Sequence, residues 1–248
     1  MNLPVAGTPV PDPESLLQQL FAGQYTLTQR DPDFFCGSGQ SAGQTVQFIG
    51  TAGATEVGVD LVLRMAAAIL QTLRAHPGRT LLLLLDTQGQ RLRRRDELLG
   101  LNAYMAHLAK CVEMARAQGH GVLSLVYGQA VSGGYLTSGM MADAAYALAQ
   151  AEIKVMNLPA MARITRIALE RLQSLAAQSP VFSPGADNYH AMGHLAQIWH
   201  DELAAHLAAA VLQVGAAQAQ GDRRMLLGME RGGRQQAWNV AQAVATHD

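Results

Sequence analysis

Only two cysteines, Cys36 and Cys111, stand in 248 residues. Two thiols cannot build a disulfide framework or a zinc cluster, and both read as structural. Charge of one sign is lacking as well, since 18 Lys and Arg against 19 Asp and Glu leave a formal net charge of −1. Such a chain has no global field to gather nucleic acid or an anionic membrane, and neither is expected as a partner. Long hydrophobic runs are absent too. The longest are cut by Arg64, by Asp86 or by glycines, and the acidic start at Asp12 and Glu14 does not read as a signal peptide. A cytoplasmic location is expected. What the chain does have is 49% hydrophobic residues and a mean hydropathy of +0.07, enough to bury a full core.

The pattern divides the chain into three parts. Residues 1–43 read as an N-terminal arm followed by a short helix (Ser15 to Phe21) and an exposed loop, because Gly37, Gly39 and Gly43 suggest turns. Residues 44–178 alternate strand and helix. Val46 to Ile49, Leu81 to Leu85 and Val122 to Val126 are short apolar runs, with weaker strands at 144–149 and 153–156. Between them Val62, Met65, Ala66, Ile69 and Leu73, then Leu98, Leu101, Met105, Leu108, Val112 and Ala115, recur at helical spacing. Continuously apolar strands joined by helices imply an α/β architecture with a mostly parallel sheet covered on both faces, and ligand sites at strand C-terminal ends. One more helical face runs from Met161 to Leu175. Residues 179–248 follow a break at Ser179 to Gly185 and read as almost wholly helical, with Ala- and Leu-rich faces that need a partner surface.

The most informative segment is Val122 to Tyr135. It joins an apolar run, a turn bearing Gly128, and a helix expected from Gly133 to about Met141 that opens on Ser132-Gly133-Gly134. A helix N-terminus presents unpaired N–H groups and partial positive charge, and glycine lets an oxygen approach them. That is the minimal form of an oxyanion hole. The bland reading is close packing of helix on strand, which also demands small residues.

Two motifs here, Asp86-Thr87-Gln88-Gly89 at a strand end and Ser132-Gly133-Gly134 after a glycine turn, resemble the carboxyltransferase branch of the crotonase superfamily, in particular the acetyl-CoA carboxylase carboxyltransferase alpha subunit. The run from Val155 to Thr165, VMNLPAMARIT, resembles the gamma subunit of biotin-independent malonate decarboxylases more closely. The resemblance spans roughly residues 45 to 215. It implies a crotonase-type superhelix of strand-strand-helix units with a helical C-terminal region. It also implies a homologous beta subunit, and joint removal of CO2 from a malonyl thioester held on an acyl carrier protein by a CoA-like, phosphopantetheine-type group, with no tightly bound cofactor or metal. On this reading Gly133 and Gly134, with a second amide at Gly89 or Gln90, are catalytic, and Ser132, Gln129 and Arg163 bind substrate.

Departures from related patterns narrow the chemistry. Crotonase hydratases place glutamate where this chain has Leu136, which argues against water addition. Carboxyltransferase alpha subunits tend to carry glutamate where Gln129 stands, which argues against transfer to biotin. A biotin-dependent carboxyltransferase subunit and a non-catalytic subunit that docks the carrier remain the alternatives. Arg91, Arg93, Arg94 and Arg95 fit either carrier phosphates or pairing with Asp96 and Glu97. Arg163 and Arg166 fit either a carboxylate clamp or a solvated helix face. His190, His194 and His206 read as interface or surface histidines rather than metal ligands. Ser132 lacks the Gly-x-Ser-x-Gly elbow of a hydrolase nucleophile, and Gly50-Thr51-Ala52-Gly53 lacks a nucleotide-loop signature.

Overall fold

The computed structural model describes residues 9–156, 158–178 and 184–246. The N-terminal arm up to residue 8, Asn157 of the VMNLPAMARIT run and most of the break at 179–185 lie outside these residues.

Five consecutive leucines explain the centre of the molecule. In β5 (Leu81–Gln90) side chains alternate between faces, so Leu81, Leu83 and Leu85 enter one core while Leu82 and Leu84 enter the other. A strand buried on both sides must be apolar at every position. Preceding it are α1 (Pro13–Phe21), β1 (Tyr25–Arg30), β2 (Phe34–Ser41), β3 (Gln44–Thr51), β4 (Thr55–Val57) and α2 (Val59–Ala75). After it come α3 (Arg94–Leu98), α4 (Leu101–Ala117), β6 (Val122–Val131), α5 (Ser132–Leu136), a 3-10 turn at Gly139–Met141, β7 (Ala144–Leu148), β8 (Glu152–Lys154), α6 (Leu158–Thr165) and α7 (Leu169–Gln178). The chain then runs through α8 (Ala186–Ala191), β9 (Leu195–Trp199), α9 (Leu203–Gln220), α10 (Arg224–Glu230) and α11 (Gln235–Ala245).

The main sheet has the order β1-β2-β3-β5-β6-β7-β9, antiparallel through β3 and parallel from β3 onward. α2, α4 and α8 cover one face; α1 and α9 cover the other. Beyond the register shift that takes Leu85↔Val126 to Thr87↔Ala130, the far ends of β5 and β6 pair outward with β4 and β8. This small parallel extension carries the strand ends to which the sequence motifs belong. No helix among the described residues is long and apolar enough to cross a membrane.

Several sequence expectations are corrected. The exposed loop expected before residue 43 is the β1–β2 pair, and β2 is almost entirely buried. Its glycines serve close packing: an added Cβ at Gly37 would lie 2.0 Å from the Thr26 carbonyl oxygen, and one at Gly39 would lie 2.4 Å from the Phe21 ring. Glycine at these positions yields space to a neighbouring backbone or ring rather than turning the chain. Residues 195–199, expected in a helical region, form β9, and the irregular register between Leu195 and Gln197 lets Leu195 and Trp199 enter opposite cores. The helix expected from Gly133 to Met141 stops at Leu136, and Ser138 (φ −128, ψ −88) separates it from the 3-10 turn. The face expected from Met161 to Leu175 is two helices, parted around Arg166 at φ +58.

Candidate functional site

The ends of β5 and β6 are fastened by one buried carboxylate. Asp86 accepts hydrogen bonds from the backbone N–H of Ala54 (2.7 Å) and of Gln129 (2.8 Å), so it ties the β3–β4 turn to β6. Its own N–H donates to Thr51 Oγ1 at 3.1 Å, and the Tyr127 hydroxyl donates to the Thr51 carbonyl at 2.6 Å. Thr87 continues the fastening, its hydroxyl donating to the Thr55 carbonyl (2.8 Å) and accepting from the Gly89 N–H (3.0 Å). The Asp86-Thr87-Gln88-Gly89 motif is thus a clasp between strand ends. A buried carboxylate satisfied by backbone donors is what such a position requires.

Gly89, Gln90, Ser132, Gly133 and Gly134 meet at one spot. Gly89 sits at φ +96, and a Cβ there would lie 2.8 Å from the Val131 carbonyl and 3.3 Å from Ser132 Cβ. Ser132, at φ +48, turns the chain sharply from β6 into α5. Gly134 faces the β5 backbone: an added Cβ would be 3.0 Å from Gly89 Cα and 3.1 Å from Val57 Cγ2. Gly133 meets only flexible side-chain ends, Gln90 Oε1 at 3.0 Å and Met105 Cε at 3.1 Å. Close packing therefore accounts for Gly134, and leaves Gly133 without a comparable demand.

Two of the four candidate amides, those of Gly133 and Gly89, are engaged by side chains of the same chain. The Gly133 N–H donates to the side-chain carbonyl of Gln90 at 3.0 Å, and the Gly89 N–H to Thr87. The acceptor at Gly133 is thus a neutral amide oxygen on a side chain. The other end of α5 is held from inside. Tyr135, 2% exposed, shares a hydrogen bond through its hydroxyl with Nε2 of His194, and the rings meet edge to face with centroids 5.5 Å apart. Burial pushes the Tyr135 hydroxyl up, and burial, with the nearby Arg224 charge, holds His194 down at about 4.

The remaining candidates disperse. Gln129 is half-buried on β6, opposite Glu152 of β8. Arg163 is exposed on α6, which packs chiefly on α7. Leu136 is 40% exposed. Arg91 forms a two-pronged pair with Asp96 (3.0 and 3.1 Å), whose carboxylate also accepts the Val59 N–H at 2.9 Å and caps α2 from another element. Gly58 makes room for that guanidinium, since a Cβ there would lie 2.0 Å from an Arg91 nitrogen. Arg95 pairs with Asp60 and Arg93 with Glu56. The pairing reading thus holds for Arg91 with Asp96, whereas Arg95 and Arg93 take Asp60 and Glu56 in place of the expected Glu97. The histidines go three ways: His190 ends α8, His194 lies beyond that helix against Tyr135, and His206 stacks on Trp199 in the opposite core. Among the described residues no group of three metal-ligating side chains comes together.

Nothing in the sequence signals the Gln90 side-chain contact, the capping of α2 by Asp96 or the Tyr135–His194 pair. Gln90 and Gly133 are 43 residues apart and Tyr135 and His194 are 59 apart, so no local pattern links them.

Residues 52–248 match the family model described as malonate decarboxylase gamma subunit. A relative from Malonomonas rubra, a malonyl-S-ACP:biotin-protein carboxyltransferase, is 28% identical over 196 residues, covering 72% of this chain and 67% of the relative. A chain of the Pseudomonas malonate decarboxylase hetero-tetramer, solved in complex with coenzyme A, superposes with a TM-score of 0.76 at 26% identity, covering 94% of this chain and 98% of that one. Transcarboxylase 12S shares the fold with a TM-score of 0.70 at 16% identity, over 84% of this chain and 43% of that one. The crotonase-type α/β architecture expected from the motifs is the one observed.

Proposed function

Because the chain belongs to the malonate decarboxylase gamma subunit family, and so is a subunit of a malonate decarboxylase complex, we propose that it shares directly in the chemistry. With a homologous beta-type subunit it removes CO2 from a malonyl thioester on an acyl carrier protein. Cleavage of the carbon–carbon bond leaves an enolate on the thioester, which takes a proton at carbon to become the acetyl thioester. The catalyst must hold the leaving carboxylate out of the thioester plane and stabilise the negative oxygen. One well-placed donor is worth about 3 kcal/mol toward such a transition state.

The observation that carries this reading is the hydrogen bond from the Gly133 N–H to Gln90 Oε1. That amide points at an acceptor oxygen carried by a movable side chain, and on this reading a thioester or carboxylate oxygen replaces it. Gln90 is then a gate on the donor, and Ser132 and Gln129 flank the path. The carrier's phosphopantetheine-type arm, or coenzyme A in its place, delivers the substrate, in keeping with coenzyme A in the solved Pseudomonas relative.

A second reading has its own support. The Gly133 and Gly89 amides already have partners inside the chain, as they would in a subunit that only completes the complex and docks the carrier. Co-expression with the beta-type partner, followed by CO2 release from the malonyl thioester, separates the two. The Cβ of Gly133→Val meets the ends of Gln90 and Met105, and in the assembled complex decarboxylation falls about a hundredfold. Undiminished release from an assembled Gly133→Val complex would establish the non-catalytic reading. Inhibition by avidin would instead favour transfer to biotin, the reaction named for the Malonomonas relative.

A further inference from the structure

A helix of five residues cannot hold its own place, because so few internal hydrogen bonds do not offset the cost of nucleation. α5 is therefore positioned by what touches it. On one side Gly134 lies against the backbone of Gly89; on the other Tyr135 reaches His194. His194 carries a cost that an apolar residue would avoid: its Nδ1 is buried and has no hydrogen-bond partner among the described residues. A buried polar atom left unpaired calls for a compensating role.

His194 is itself fixed from behind by α10. Its N–H donates to the Tyr189 carbonyl at 3.0 Å, and the turn before it lies against α10 through glycines on both sides. A Cβ at Gly193 would be 2.1 Å from the Arg224 carbonyl, and one at Gly228 would be 2.5 Å from the Met192 carbonyl. Arg231 donates to the carbonyls of His190 (2.9 Å) and Leu195 (2.7 Å), on either side of that turn, and Arg224 donates to Met140 at 3.1 Å beyond α5. Backbone-to-backbone contacts of this kind leave little slack.

We propose that Tyr135 and His194 are positioning residues for decarboxylation: their hydrogen bond sets α5, and with it the Gly133 amide, against a base formed by α10 and the turn before β9. The proposal rests on the reading of Gly133 as an oxyanion donor, but its mechanical half can be tested independently.

The test uses the complete chain assembled with its beta-type partner and four proteins: wild type, Tyr135→Phe, His194→Leu and His194→Gln. A glutamine side-chain amide can place its oxygen or nitrogen near the position of Nε2, whereas leucine offers no partner. Tyr135→Phe and His194→Leu are expected to lower kcat about tenfold or more while KM rises by no more than about fivefold, since a displaced donor weakens the transition state more than ground-state binding. His194→Gln recovers kcat to within about threefold of wild type. Amide exchange at residues 133 to 138 accelerates about tenfold in the first two variants and not in the third. Unchanged exchange in Tyr135→Phe and His194→Leu, or equal loss of kcat in His194→Gln and His194→Leu, overturns the proposal. Accelerated exchange in assembled complexes whose wild type releases no CO2 upholds the positioning and removes the catalytic reading instead.

Discussion

The carboxylate of Asp86 stands where the side chain of any residue other than glycine at position 128 would have to go. An added Cβ at Gly128 would lie 2.3 Å from Asp86 Oδ1, and that oxygen accepts the N–H of the next residue, Gln129. Gly128 is inside β6 rather than in a turn. Its lack of a side chain is what lets one acid bind two chain segments.

A double-mutant cycle follows from this contact. Gly128→Ala is expected to cost about 2–3 kcal/mol through overpacking. Asp86→Ala costs about 2–4 kcal/mol by leaving the N–H groups of Ala54 and Gln129 unpaired. The double variant loses less than the sum of the two, because removing the carboxylate vacates the space the new methyl needs. Urea denaturation of the four proteins measures the coupling.

The Arg91–Asp96 pair predicts an acid limb of stability. The Arg91 guanidinium first, and then the Val59 N–H, hold the Asp96 carboxyl below the ordinary range. A carboxyl lowered on folding contributes stability that is fully present above about pH 4, the unfolded value, and is lost as pH falls through the folded one. Asp96→Ala uncaps α2 and leaves Arg91 without this partner, for an expected loss of about 2 kcal/mol at neutral pH. Thermal unfolding should show the gap between wild type and variant narrowing as pH falls below about 4.

His194 predicts a second pH effect, at higher pH. Burial first, and then the Arg224 charge, lower its folded value to about 4, while Asp222 opposes the shift and neutral Tyr135 and Tyr189 line the ring. Protonation therefore favours the unfolded chain. Stability is complete above about pH 6.5 and declines toward pH 4, by at most about 1.4 kcal/mol per unit. Unfolding free energy measured across that window should slope less in His194→Gln than in wild type.

Gln90 predicts a change in substrate affinity. If a substrate oxygen must displace Oε1 from the Gly133 N–H, Gln90→Ala removes an internal competitor worth about 1 kcal/mol, and KM for the malonyl thioester falls about fivefold. A rise in KM would show instead that the carboxamide holds the substrate. Steady-state CO2 release at varied thioester concentration decides between them.

Strand and helix alternation from Val46 to Leu148 was legible in the sequence because a strand buried on both faces is apolar throughout and an amphipathic helix repeats near 3.6 residues. The opening of a helix on Ser132-Gly133-Gly134 was legible, but the turn before it was expected at Gly128 and lies at Ser132. By contrast, β1, β2 and β9 were not legible: their signal was diluted by packing glycines such as Gly37 and Gly39, or lay within a stretch rich in Ala and Leu. Composition cannot tell a glycine that turns the chain from one that yields space to a neighbouring ring.

The sequence by itself determined the elements that follow from local periodicity, the family to which the motifs belong, and the residue types at the strand ends. Tertiary structure alone decided what each of those residues touches. That the Gly133 amide meets Gln90, that Asp96 caps a helix begun 37 residues earlier at Val59, and that Tyr135 finds His194 are contacts between segments far apart in the chain. Local propensity acts over a few residues, whereas the pairing of buried polar groups is settled only when the sheet brings distant segments within about 3 Å of each other.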